Sequence, residues 1–185
     1  MRNIIVVPYD ENWPHEFKKI KDEILPSVED LIISIEHVGS TSVKGLYAKP
    51  IIDINIVIDN KDMLPAIIQR LAQNGYTYEG DLGVTGREAF KYTDKPHLMK
   101  HHLYVCPKDS LELKRQITFR DYLREHPTDC EEYSNIKIEM AKKFPHDIDS
   151  YINGKQPVVL KIYEKCGLDT TYKKQLPIHN HEKNA

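Results

Sequence analysis

The alternation of apolar and polar residues from Ile51 to Ile58 is the strongest pattern along the chain. Side chains two apart in an extended strand share a face, so Ile52, Ile54 and Ile56 point one way and Asp53 and Asn55 the other. A carboxylate inside so apolar a strand is costly to desolvate unless it is paired or bound to a metal. Asp53 therefore marks either a hydrogen-bonded network or a site. A second apolar run, about Ile32 to His37, reads as a strand that stops at Gly39-Ser40-Thr41-Ser42. Alternation also predicts strands from about Tyr76 to Tyr78, Arg87 to Tyr92 and Lys100 to Val105, with Gly80, Gly83 and Gly86 in the intervening loop. Asn3 to Val7 is a short β-branched segment that ends at Pro8.

Helical spacing takes over elsewhere. Trp13, Phe17, Ile20 and Ile24 predict a helix to about Leu25, which Pro26 is expected to break. Leu64, Ile67, Ile68 and Leu71 predict a second, from about Lys61 to the Asn74-Gly75 stop. Beyond Pro107 three more are expected: Ser110 to Glu125, Pro127 or Thr128 to Phe144, and Asp147 to Cys166, the last kinked or split at Pro157. A β-α-β unit, a meander and then helices place the chain in the α/β (α+β) class. The expected architecture is a mixed β-sheet with helices on one face and a C-terminal helical portion.

A length of 185 residues suits one domain, taken as 1–166, followed by a polar tail, 167–185, in which His179 and His181 read as tail residues. With 40% hydrophobic and 29% charged residues the composition is that of a soluble globular protein. The formal charge of −2 removes a bulk attraction to nucleic acid, which is not expected as a partner. No apolar run approaches a membrane span, and the amino terminus lacks a secretory pattern. The three cysteines, Cys106, Cys130 and Cys166, are widely spaced and outside any Cys-x-x-Cys motif, so they suit reduced thiols and a cytoplasmic location.

Chemistry concentrates at two places. The Gly39-Ser40-Thr41 turn offers backbone N–H groups and small hydroxyls to an anion, although such a sequence also suits an ordinary hairpin turn or helix start. It is not a Walker loop, because Lys44 precedes Gly45 instead of following it. Beside it, Asp53 and Asn55 could bind a cation or share a hydrogen-bond network. The second place is the helical portion. Arg120 and Arg124 fall inside the apolar arc of Leu113, Ile117, Phe119 and Leu123, and Tyr133 with Lys137, then Tyr151 with Lys155, repeat the theme. Cations on an apolar face need anionic partners, either internal carboxylates or the phosphates of a ligand. Arg87 and Glu88 follow the glycine loop as a further phosphate contact or a solvated pair. Of the adjacent His101 and His102, only one can face the site; His102 is the candidate ligand, with a structural imidazole as its alternative.

The run IEHVGSTSVKGLYAKPIIDI, with HHLYV, FRDYLREHP and YSNIKIEMAKKF downstream, resembles the GrpB family of the nucleotidyltransferase superfamily, over about Val7 to Cys166. That resemblance implies a polymerase β-like fold that binds a nucleoside triphosphate or related polyphosphate with Mg²⁺ or Mn²⁺. Gly39, Ser40 and Thr41 would hold phosphate, and Asp53, as the catalytic carboxylate, would bind metal together with Asn55 and His102. Arg87, Arg120, Arg124, Tyr133 and Lys137 would neutralise the polyphosphate. Superfamily members carry acids where this chain has Asn55 and His102, which implies a weak second metal site and nucleotidyl transfer to an acceptor that is slow or absent. The alternative is a non-catalytic nucleotide or phosphometabolite module linked to coenzyme A metabolism.

Overall fold

The computed structural model describes residues 3–170; most of the expected tail, with His179 and His181, lies outside them. Five strands form one sheet in the order β1-β2-β5-β4-β3: β1 Ser34–Val38, β2 Ile52–Ile58, β3 Tyr76–Gly80, β4 Glu88–Tyr92 and β5 His101–Pro107. Only the central pair, β2 with β5, is parallel; the other three pairings are antiparallel. The sheet is thus mixed, as the element order suggested.

The alternation in β2 sorts the two faces. Ile52, Ile54, Ile56 and Ile58 join Leu103 and Val105 of β5 in the main core, covered by α1 (Trp13–Val28) and α2 (Leu64–Gln73). The opposite face is covered as well, a correction to the single helical layer expected. There Val57 and Cys106 pack on Leu113 and Ile117 of α3 (Leu111–Glu125). Behind α3 stand α4 (Pro127–Lys143) and α5 (Ile148–Lys165), which approach closely at Gly154, where a Cβ would sit 2.1 Å from the Met140 sulfur.

Two prolines do not end their helices. Pro26 lies in the last turns of α1, where Ile20, Ile24 and Val28 are fully buried, so packing outweighs the one hydrogen bond that proline removes. Pro157 likewise sits inside α5, whose Tyr151 and Ile162 are buried on either side of it. Asn3 to Val7 is not a strand of the sheet. It crosses the molecule through Ile4, bonded to the Pro145 carbonyl, and through a single bridge from Val7 to Ala48. No helix among the described residues is long and apolar enough to cross a membrane.

Candidate functional site

The register of the sheet builds the site. Val38 lies opposite Asp53, and Asp53 opposite His102, so β1, β2 and β5 present these side chains on the face turned toward α3. His102 Nδ1 donates to Asp53 Oδ1 at 2.9 Å. Burial pushes the Asp53 carboxyl up, but the His102 hydrogen bond, the His102 charge and Lys49 outweigh it, and the group titrates below the usual aspartate value. Its second oxygen lies under Gly39, which begins a one-turn 3₁₀ helix at Ser40–Ser42.

Above this face lies a cavity of about 280 Å³. From α3 it is lined by Glu112, Arg115, Gln116, Phe119, Arg120 and Leu123, which recur every three or four residues along one helical stripe. Tyr133 and Lys137 of α4 close one side, and Tyr151, Lys155 and Tyr163 of α5 another. Six basic side chains line it, Lys49, Arg87, Arg115, Arg120, Lys137 and Lys155, against two carboxylates, Asp53 and Glu112.

These cations differ in how they are held. Glu112, 1% exposed, pairs with Arg115 and accepts a second bond from Gln116. Arg120 is tied to Glu36 Oε2 at 3.0 Å, to its neighbour Asp121 and to the His37 carbonyl. Arg87 lies over the Tyr104 ring at 4.3 Å, and its Nε is buried with no hydrogen-bond partner among the described residues. Lys137 is 3% exposed and donates only to neutral oxygens in the bonds seen, Ser40 Oγ at 2.6 Å and the Tyr47 carbonyl at 2.7 Å. Burial first, and then the charges of Lys155 and Lys49, push its ammonium well below the ordinary lysine value.

Gly39, Ser40, Asp53, Arg87, His102, Arg120, Tyr133 and Lys137 thus come together around one cavity. Three other candidates do not line it. Thr41 is buried, accepting from His37 and donating to the Ile51 carbonyl. Arg124 turns its guanidinium to the Ser42 carbonyl, with bonds of 2.9 and 3.1 Å, and so clamps the turn to α3 from outside. Asn55 is 0% exposed and donates to Gln116 Oε1 at 2.6 Å, beneath α3. Lys49 and Arg115 were missed. Lys49 stands in the linker just before β2, and Arg115 lies outside the apolar arc that drew attention to Arg120, so neither carried a periodic signal.

Arg124→Ala is expected to lower folding stability by about 1–2 kcal/mol, the worth of a half-exposed, charge-assisted pair of hydrogen bonds. Urea denaturation checks it. An unchanged midpoint would mean that the Ser42 clamp contributes nothing.

The donor set does not fit a resident pair of metal ions. Two divalent cations side by side need bridging carboxylates, and here Asp53 has an oxygen already engaged by His102 while Glu112 is taken up by Arg115 and Gln116. Among the described residues no group of three or more His, Cys, Asp or Glu could hold a metal. The Asn55 Oδ1 atom is buried without a partner, but it is neutral and sealed from the cavity.

Relatives place this geometry. The chain is 36% identical over 162 residues to glutamate-rich protein GrpB of Alkalihalophilus pseudofirmus, covering 86% of this chain and 93% of that protein. It is 33% identical to UPF0157 protein YqkA of Bacillus subtilis, of which it spans 44%. At 23% identity it also matches 45% of a dephospho-CoA kinase of Mycobacterium bovis. Among solved structures, the conserved protein GrpB from Enterococcus faecalis aligns with a TM-score of 0.77 at 29% identity, over 88% of this chain and 96% of that one. Terminal uridylyl transferase 4 from Trypanosoma brucei shares the fold at a TM-score of 0.50 and 15% identity, over 89% of this chain and 57% of that one, so the architecture is nucleotidyltransferase-like. The family model described as GrpB protein matches residues 3–165, a stretch that takes in every residue of the cavity, and the chain belongs to the GrpB family.

Proposed function

We propose that the cavity binds a nucleoside triphosphate or a related polyphosphate, and that it does not work as a two-metal nucleotidyltransferase. The observation that carries this reading is the excess of basic side chains: six line one half-open cavity against two carboxylates, with Arg115 and Arg120 also ion-paired within the protein. Taking that much like charge out of water is unfavourable unless an anion completes it. Arg87, whose Nε has no hydrogen-bond partner among the described residues, and Lys137, held only by neutral oxygens in the bonds seen, both line the cavity and are where such an anion would be bonded. Phe119, Tyr133, Tyr151 and Tyr163 supply aromatic surface in the same cavity for a base or other planar group. Mg²⁺ enters this reading only as the counter-ion that a triphosphate brings with it. The fold shared with a uridylyl transferase solved with bound GTP and the dephospho-CoA kinase match favour a nucleotide over a bare phosphate.

Calorimetric titration with the four nucleoside triphosphates, dephospho-coenzyme A, tripolyphosphate and phosphate, each with and without Mg²⁺, tests the proposal. At least one polyphosphate is expected to bind. Arg87→Gln and Lys155→Gln are each expected to weaken it about 10- to 100-fold, as for a charge-assisted hydrogen bond of roughly 1.5–3 kcal/mol. No heat and no thermal shift with any of the panel would end this reading.

A further inference from the structure

We propose that Ser40 is a nucleophile activated by Lys137, so that the cavity carries out covalent phosphoryl transfer through a serine. Two observations converge on the Ser40 Oγ atom, and a third concerns its lysine partner. It is half-buried at the cavity wall, on a tight turn whose backbone is fixed by the Ser42 and Val43 N–H bonds and clamped by Arg124. The Lys137 Nζ is 2.6 Å away, within direct proton-transfer distance. The Tyr133 ring, one helical turn before Lys137, lies 4.6 Å from the Lys137 Nζ and lines the same cavity.

A lysine is a base only when its amine is neutral. Lys137 faces Lys155 from α5 and Lys49 from the linker before β2, both of which oppose its charge. Asp53 of β2 and Cys130 of α4 act the other way and do not offset burial. Its two visible hydrogen bonds go to oxygens that a neutral amine can satisfy equally well. A carboxylate partner would have argued for a permanent cation, and neither bond supplies one. In the neutral state the Ser40 contact reverses: the hydroxyl donates to Nζ, which is the arrangement of a serine–lysine nucleophile pair.

The step balances within the cavity. Ser40 Oγ forms a bond to the phosphorus of an activated phosphoryl donor as its proton passes to Lys137 Nζ. The bond from phosphorus to the leaving group breaks with its electron pair, and the Lys137 ammonium returns the proton to that group. Arg87 and Lys155 neutralise the charge that gathers on the equatorial oxygens. Burial keeps the Tyr133 hydroxyl protonated beside this pair. The donor class is a phosphoanhydride or phosphate ester.

The test uses an uncharged fluorophosphonate on the full chain, with peptide mass spectrometry to locate the adduct. In this reaction the P–F bond breaks and fluoride leaves. Ser40 is expected to be labelled at pH 7 at least 100-fold faster than Ser150, which is also half-buried, and labelling is expected to vanish in urea. Ser40→Ala should remove the adduct, and Lys137→Met should slow it at least 30-fold. Because Lys137→Met could unfold the chain, the native protein carries a second measurement: the labelling rate should level off at a pH well below that of an ordinary lysine. Labelling of Ser40 no faster than Ser150, or a rate still climbing at pH 10, would overturn the proposal and leave the Lys137 contact as a strut for the turn. The outcome is separable from the polyphosphate reading, because the probe carries no charge and calorimetry is read independently.

Discussion

Between pH 6.5 and pH 4 the protein is expected to lose roughly 6 kcal/mol of folding stability, through two histidines that the fold holds neutral. His37 packs flat on Phe17 at 4.7 Å and donates from Nε2 to Thr41 Oγ1, whose own proton goes to the Ile51 carbonyl. His101 is stacked on Tyr92 at 4.2 Å, with Nδ1 bonded to the Met99 carbonyl and Nε2 to the Tyr76 hydroxyl. Burial is the main cause that pushes both imidazoles down to about 4 from 6.5. For His37, Asp53 pulls the other way and Arg124 and Arg120 reinforce burial. For His101, the Met99 bond opposes burial.

The sign follows from proton counting. From pH 6.5 down to about 4 the unfolded chain protonates these imidazoles and the folded chain does not, so acid favours unfolding. Their stabilisation is complete above pH 6.5 and is lost as pH falls, about 3 kcal/mol for each ring. Asp53, held below its usual value, gives way only in stronger acid, as pH falls through its folded value. Urea midpoints measured from pH 7.5 to 4 should trace this slope, and His37→Gln with His101→Gln should flatten it. A native protein equally stable at pH 6.5 and 4.5 would mean that the rings take up protons in place. The consequence for the site is direct, because the His37 carbonyl anchors Arg120 and its ring anchors the turn through Thr41.

The same residues show how far the sequence could be read. Alternation in β2 was enough to assign Ile52, Ile54 and Ile56 to the core and Asp53 to the opposite face, because a period of two fixes direction once the strand is known. The small turn at Gly39-Ser40 and the helix-face cations Arg120 and Lys137 were legible for a similar reason: each breaks a local pattern. What a local pattern cannot carry is the partner. Glu36 meets Arg120 across 84 positions, and Gln116 covers Asn55 across 61, so whether an interior cation or amide faces ligand or protein depends on the packing of α3. Arg120 lines the cavity and is also paired internally with Glu36. Arg124 shared the same apolar arc and went to a backbone carbonyl instead. Lys49 was invisible because an irregular linker has no period to violate. Pro26 misled because its penalty of about 3 kcal/mol is local, whereas the burial that outweighs it in α1 is tertiary.

Gly39→Ala is expected to be the most damaging single substitution in the site, costing on the order of 3–5 kcal/mol of stability and abolishing both ligand binding and Ser40 labelling. Two causes add. Gly39 has φ +70° and ψ −172°, a region that side-chain-bearing residues essentially do not occupy. A Cβ there would also lie 2.2 Å from Asp53 Oδ2 and 2.9 Å from both Cβ and Cγ of Asp53. The carboxylate oxygen could swing away, at the cost of its bond to His102, but the Asp53 Cβ is fixed to a central strand paired on both sides. The turn must therefore lift from the sheet, and Ser40 leaves Lys137 with it. Gly45→Ala is the control that separates the two causes. Gly45 has φ +83° but nothing within 4 Å of an added Cβ, so it should lose only the backbone term, about 1–2 kcal/mol, and keep binding intact. Equal losses at Gly39 and Gly45, with the site still functional in both, would show that the contact between the turn and Asp53 is not what holds Ser40 in place.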